Sequence, residues 1–309
     1  MNQLPAVFLI FIPYLFFMRS LSLFFLLLVC SGSLLAQPAE KTDTKLTAAV
    51  QDLIKGFRGD IGIYIKDLKT GKTVAINADT VFPTASIVKV PILITIMNRI
   101  RHGELDYRQH LTWADTMKYE AAEDIAGYLK PGTPIELSKV MMLMMTISDN
   151  NASLWLQSVA GTGTVINALM DSLGYKNTRV NSRTPGREAY RSVYGWGQTT
   201  PREMASIFER IVNGQLLSKE SSAKMLKIMS RQYWDEEALE PIPAGVFTAD
   251  KNGAVDQSRS EVLYVNARHP YILSIFTKNN QDSSWVHENE AWVLTRKISA
   301  LLFERFNKK

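Results

Sequence analysis

Three short strings in this chain carry groups able to do acyl chemistry: Ser86-Ile87-Val88-Lys89, Ser148-Asp149-Asn150 and Lys251-Asn252-Gly253. Together they supply a serine hydroxyl, two lysine amines, a second hydroxyl and a side-chain amide. A hydroxyl is a poor nucleophile until a base takes its proton. A lysine acts as that base when burial or nearby cations hold its pKa down. Ser86 at a helix start would put Lys89 on the same face one turn along. The unpaired amides of that helix start would face a developing oxyanion. The set suits acyl transfer from a cyclic or peptide amide.

Each string also has a plainer reading. Ser86 could be only a helix cap, and Ser-x-x-Lys recurs at Ser221-Ser222-Ala223-Lys224, which reads as a surface helix. Ser148 and Asp149 both favour the N-cap position of a following helix. Asp250-Lys251-Asn252-Gly253 alone reads as a turn. The order of the three strings is more telling than any one of them. Ile87, Val88, Val90, Ile92, Leu93 and Ile94 also make the first helix apolar nearly all round. A buried helix start seldom carries an idle lysine.

In that order and spacing the strings resemble those of the class A serine β-lactamases and the related penicillin-binding D,D-peptidases, across roughly residues 42–307. The resemblance implies that Ser86 attacks a carbonyl and that Lys89 takes its proton. Ser148 would relay a proton to the leaving nitrogen, Asn150 would orient the substrate's amide, and Asp149 would be structural. Lys251 would attract a substrate carboxylate and Gly253 would let the substrate backbone come close. The Ala254 amide would join that of Ser86 as oxyanion donor, and Arg259 would add positive charge. Pro91, two residues after Lys89, looks more like the peptidase branch. Asn252 departs from the family, which has a hydroxyl residue there. The family's deacylating glutamate is also missing. Counting back from Thr199-Thr200-Pro201 and forward from Ser148 puts Thr184 in its place. Glu188, four residues on, remains as a candidate base if the loop bends at Pro185-Gly186. The implied activity is β-lactam hydrolysis through an acyl-enzyme at Ser86. The alternatives are a D,D-peptidase acting on cell-wall peptide, or a β-lactam sensor that deacylates slowly. No cofactor is implied. The scattered His102, His110, His269 and His287 have no metal-ligand spacing.

Elements must position these groups. Thr42 to Phe57 has a helical apolar face, Asp60 to Asn77 reads as a hairpin, and Ser86 to Arg101 reads as one helix closed by Gly103. Helices are expected at 115–129, 136–147, 150–160, 163–173, 201–213 and 218–231. Strands are expected at 245–250, 261–266 and 271–277, with a closing helix over 291–306. The expected class is α+β: an antiparallel sheet from both chain ends, flanked by helices, with an all-helical insertion. In domain terms, 37–83 and 231–309 would form an α/β lobe and 84–230 a helical lobe, with the cleft between them.

The composition, 46% hydrophobic and 21% charged, fits a globular chain with a substantial core. Residues 4–35 are apolar with Arg19 the only charge, which suggests a leader over 1–36, translated from Met18 and cleaved after Ala36. An anchor through residues 4–30 is the alternative. Cys30, the only cysteine, lies in that stretch, so a mature chain would hold no disulfide or thiolate. The net charge of +5 is scattered, which argues against a nucleic-acid partner. An exported monomer acting on a β-lactam or cell-wall peptide is the expectation.

Overall fold

Alternating apolar residues near the two chain ends build one six-stranded sheet in the computed structural model, which describes residues 40–119, 124–230 and 232–308. Its strands are β1 (Lys41–Thr42), β2 (Asp60–Asp67), β3 (Lys72–Ile76), β9 (Thr248–Val255), β10 (Ser258–Val265) and β11 (Tyr271–Lys278); β4 (Phe82–Pro83) belongs to a separate small sheet, and β5 (His110–Thr112) pairs with β6 (Pro134–Glu136). The six lie in the order β1-β3-β2-β11-β10-β9, antiparallel except for the short parallel pair of β1 with β3. The α+β class expected from the sequence is therefore observed. The leader expected over 1–36 lies outside the described residues. Among the described residues no helix is long and apolar enough to cross a membrane.

The strand period of two gives each face of the sheet its own core. On β10, Leu263 and Val265 cluster with Leu46 and Val50 of α1 (Thr44–Ile54) and with Leu294, Ile298 and Leu302 of the closing helix (Glu290–Asn307). Val262 and Tyr264 point the other way and join a second core with Ile87, Val90 and Met144. That second core is shared with helices α2 (Lys89–Arg101), α3 (Leu137–Thr146), α4 (Asn150–Val159), α5 (Thr162–Ser172), α7 (Pro201–Val212) and α8 (Lys219–Met229). Met141, Met144 and Met145 fill it, as flexible core side chains do.

Three expectations are corrected. The segment 115–129 is not one helix: its described residues form 3-10 turns at Asp115–Met117 and Ile125–Tyr128, with Lys118 and Asp124 extended. The side chains of Asp124 and Asp149 take backbone amides across this segment, which favours an open loop over a helical ladder. The strand foreseen at 245–250 starts and ends later, because residues 251–255 pair with β10 in place of turning. A short helix, α6 (Glu188–Tyr194), arises in the loop between two short strands, β7 (Arg179–Val180) and β8 (Gly197–Thr199), where none was anticipated.

Candidate active site

The nucleophile string opens tightly. Ala85–Val88 is a 3-10 turn, and the α-helix begins only at Lys89. Pro91 then falls in the first turn, where its missing N–H breaks no helix bond. Ala85 has φ +43° and Ser148 has φ +62°, so two non-glycine residues beside the reacting hydroxyls sit in the left-handed region. Each such residue costs roughly 1–3 kcal/mol and persists only where its surroundings hold it.

Lys89 joins the first two strings. Its Nζ lies 2.9 Å from Ser86 Oγ, 2.9 Å from Ser148 Oγ and 2.9 Å from Asn150 Oδ1, and it also bonds the Ser148 carbonyl. The side chain is fully buried. Burial, then repulsion from Lys251, push its pKa well below that of a free lysine, against the opposing pull of Asp124 and Asp149. A neutral amine so placed has a lone pair within one hydrogen bond of both serine hydroxyls.

The second string is held from beneath. Asp149 caps α4 by accepting from Ala152 N at 2.7 Å, and it takes Ala126 N at 2.8 Å. Burial raises its pKa while both of these backbone bonds oppose the rise. Asp149→Ala should therefore cost about 2–4 kcal/mol, read as a lower urea midpoint, because it frees two buried amides at once. A value within 0.5 kcal/mol of zero, roughly the scatter for surface changes, would show that the amides find other partners.

The third string lies on β9. Lys251 is fully buried and donates to Asn252 Oδ1 at 3.0 Å. Burial lowers its pKa, while Asp250, Glu261 and Glu237 pull the other way. Burial in turn pushes the carboxyls of Asp250 and Glu261 well up. Gly253 is pressed against the nucleophile turn. A Cβ there would sit 2.5 Å from the Thr84 carbonyl oxygen and 2.9 Å from Ser86 N. The Gly253–Ala254 backbone and the Ser86 amide therefore share one edge of the site.

A pocket of about 250 Å³ opens over Ser86 and Asn150, and Tyr119, Tyr194, Trp196 and Asp256 are among the residues that line it. Tyr119 and Trp196 meet edge to face at 5.2 Å. The sequence reading missed these four residues, because isolated aromatic and acidic residues carry no periodic or spacing signal.

One segment closes the site from the far side. Gln232 Nε2 donates to the Met145 and Asp250 carbonyls, both at 3.1 Å. Tyr233 N donates to the Thr146 carbonyl and Trp234 Nε1 to the Ile147 carbonyl, each at 3.0 Å. The three carbonyls that precede Ser148 are thereby tied in order.

Ser86, Lys89, Ser148, Asn150, Lys251, Gly253 and Ala254 converge, but two expected residues do not. Glu188 is exposed at the start of α6, where its Oε1 accepts from Gly186 N at 3.2 Å, and it does not line the pocket. The bend at Pro185-Gly186 turns it to solvent. Thr184 is buried but packs on Gly163 and donates to the Ser182 carbonyl at 2.8 Å. Arg259 faces away from the cleft, because it shares strand parity with Leu263 and Val265. It donates to the carbonyls of Asp256, Ser258 and Ser284, and its guanidinium lies 4.3 Å from the Trp285 ring centre and 4.8 Å from that of Trp292. The second Ser-x-x-Lys string is also occupied elsewhere: Ser221 N bonds the Ser218 cap, and Lys224 pairs with Glu220 at 2.9 Å.

The chain is similar to known proteins in sequence and fold. Over 231 residues the chain is 27% identical to a beta-lactamase of Streptomyces fradiae, covering 70% of this chain and 73% of that one. PBP-A, solved as a mutant in acyl-enzyme complex with penicillin G, aligns with a TM-score of 0.76 at 25% identity, over 88% of this chain and 100% of that one. A beta-lactamase from Sphaerobacter thermophilus shares the fold with a TM-score of 0.74 at 22% identity, over 85% of this chain and 98% of that one. A profile of the Beta-lactamase2 family matches residues 45–306, a span that holds all three strings, and the chain belongs to this beta-lactamase enzyme family.

Proposed function

We propose that this protein is a serine hydrolase that opens β-lactams through an acyl-enzyme on Ser86. The observation that carries the proposal is the buried Lys89 amine, 2.9 Å from both Ser86 Oγ and Ser148 Oγ. Ser86 Oγ attacks the lactam carbonyl and gives its proton to Lys89. The amides of Ser86 and Ala254 take the oxyanion. As the C–N bond breaks, the nitrogen receives a proton through Ser148, and water then hydrolyses the ester. Asn150 orients the acylamino group and Lys251 attracts the substrate carboxylate. The protein acts after export, as a monomer, on a β-lactam or a cell-wall peptide; the sheet-borne and helical parts of the chain serve as two lobes around the cleft.

A second reading is favoured by one observation. Among the described residues, Asp256 is the only carboxylate lining the pocket over Ser86. With Thr184 and Glu188 turned elsewhere, water activation is the weakest step, and a peptidase or sensor with a long-lived acyl-enzyme fits that weakness. Intact mass after adding excess benzylpenicillin tests both readings. The expected result is a mass gain of one penicillin that Ser86→Ala abolishes. Return to native mass while drug is consumed marks a β-lactamase, and persistence for hours marks the second reading. A mass gain that survives Ser86→Ala sinks both.

A further inference from the structure

The pocket over Ser86 is electrostatically lopsided. Lys251 lies on β9, and Asp256 stands at the hairpin tip just beyond its end, with roughly 13 Å of strand between Lys251 and Val255. Tyr119, Tyr194 and Trp196 line the opening together with Asp256, and among the described residues no lysine or arginine lines it. Three electron-rich aromatic side chains with one carboxylate make an environment that favours an ammonium group. Asp256 is exposed; the nearby Arg259 bonds its main-chain carbonyl at 2.9 Å and is attracted by its carboxylate without a hydrogen bond to it.

We infer that the cleft selects zwitterionic acyl donors, with the substrate carboxylate toward Lys251 and a cationic amine on the acyl side chain between the aromatic wall and Asp256. The inference rests on the acyl-transfer reading above and adds to it the class of substrate. It makes Asp256 and the ring wall determinants of specificity, and it needs no new chemistry at Ser86. A neutral acyl group would fill the same space without the charge interaction, and an anionic one would meet repulsion.

Three penicillins on one phenylacetyl frame separate these cases: ampicillin carries an α-amino group, benzylpenicillin no substituent and carbenicillin an α-carboxylate. The measurement is the second-order rate of mass gain at Ser86. Ampicillin should exceed benzylpenicillin by roughly tenfold, the size of a partly exposed cation–π contact plus one ion pair. Carbenicillin should fall below benzylpenicillin. Asp256→Asn should shrink the ampicillin-to-benzylpenicillin ratio severalfold and raise carbenicillin relative to both. Asparagine tolerates the positive φ of +33° at this position, so the hairpin keeps its shape. Equal rates for the three drugs, or a ratio unmoved by Asp256→Asn, overturn the inference while leaving the acyl-transfer reading intact. If none of the three adds mass to Ser86 and none is consumed, the acyl-transfer reading falls first and this inference with it.

Discussion

Lys89→Met should slow acylation of Ser86 by roughly three orders of magnitude, the upper part of what a positioned base contributes. Methionine matches the lysine in length but cannot accept a proton. It also leaves the Ser148 carbonyl and Asn150 Oδ1 without their partner. The pH dependence separates loss of a base from loss of shape. In the native protein the neutral amine is the active form, so the rate should rise with pH through the lowered pKa of Lys89 and then level off. The variant should lack that limb. Stability carries the same signature with a defined sign. Lys89 binds a proton more readily when the chain is unfolded, so the native protein should gain stability, relative to Lys89→Met, as pH climbs from the lowered pKa towards about 10.4. Urea midpoints of the two proteins across that range check this. A constant difference between them would mean that the buried amine stays charged.

Gly253→Ala carries the next largest expected effect. The added Cβ would meet the Thr84 carbonyl oxygen at 2.5 Å, Ser86 N at 2.9 Å and Ile87 N at 3.1 Å. All three are backbone atoms, so none can swing aside, and β9 must back away from the nucleophile turn. That movement separates the Ala254 and Ser86 amides that would hold the oxyanion. The acylation rate should fall on the order of a hundredfold, as when one oxyanion donor is lost. Stability should fall by about 1–3 kcal/mol from overpacking. Stopped-flow acylation and urea unfolding measure the two separately. A near-native rate would show that Ala254 N takes no part.

The uneven legibility of the site has a physical basis. Helix and strand periods exposed α2, α3, α4 and the sheet, because burial on one face repeats along the chain. The ordered strings marked Ser86, Lys89, Ser148 and Lys251. Arg259 misled because its distance along the chain from Lys251 does not fix which face of β10 it takes, and parity sends it to the Trp285 and Trp292 rings. Glu188 misled because a loop able to form its own helix can turn a side chain to solvent. The segment 115–129 has helical composition, but the long-range bond from the Ala126 amide to the Asp149 carboxylate competes with its local ladder. Tyr119, Trp196 and Asp256 meet only through tertiary folding, which no local pattern encodes.

The bonds from residues 232–234 to the carbonyls of Met145, Thr146 and Ile147 have a dynamic consequence. They run like stitches across a seam, with Gln232 holding the Asp250 carbonyl as well. The Ser148 loop cannot lift without unpicking them, and each stitch lost leaves a carbonyl to solvate. Deuterium uptake at the Tyr233 amide should therefore rise and fall with uptake at the Asp149 amide, as one cooperative opening. Local breathing would then expose the proton relay and the cationic strand together, so that the site is either wholly assembled or wholly undone.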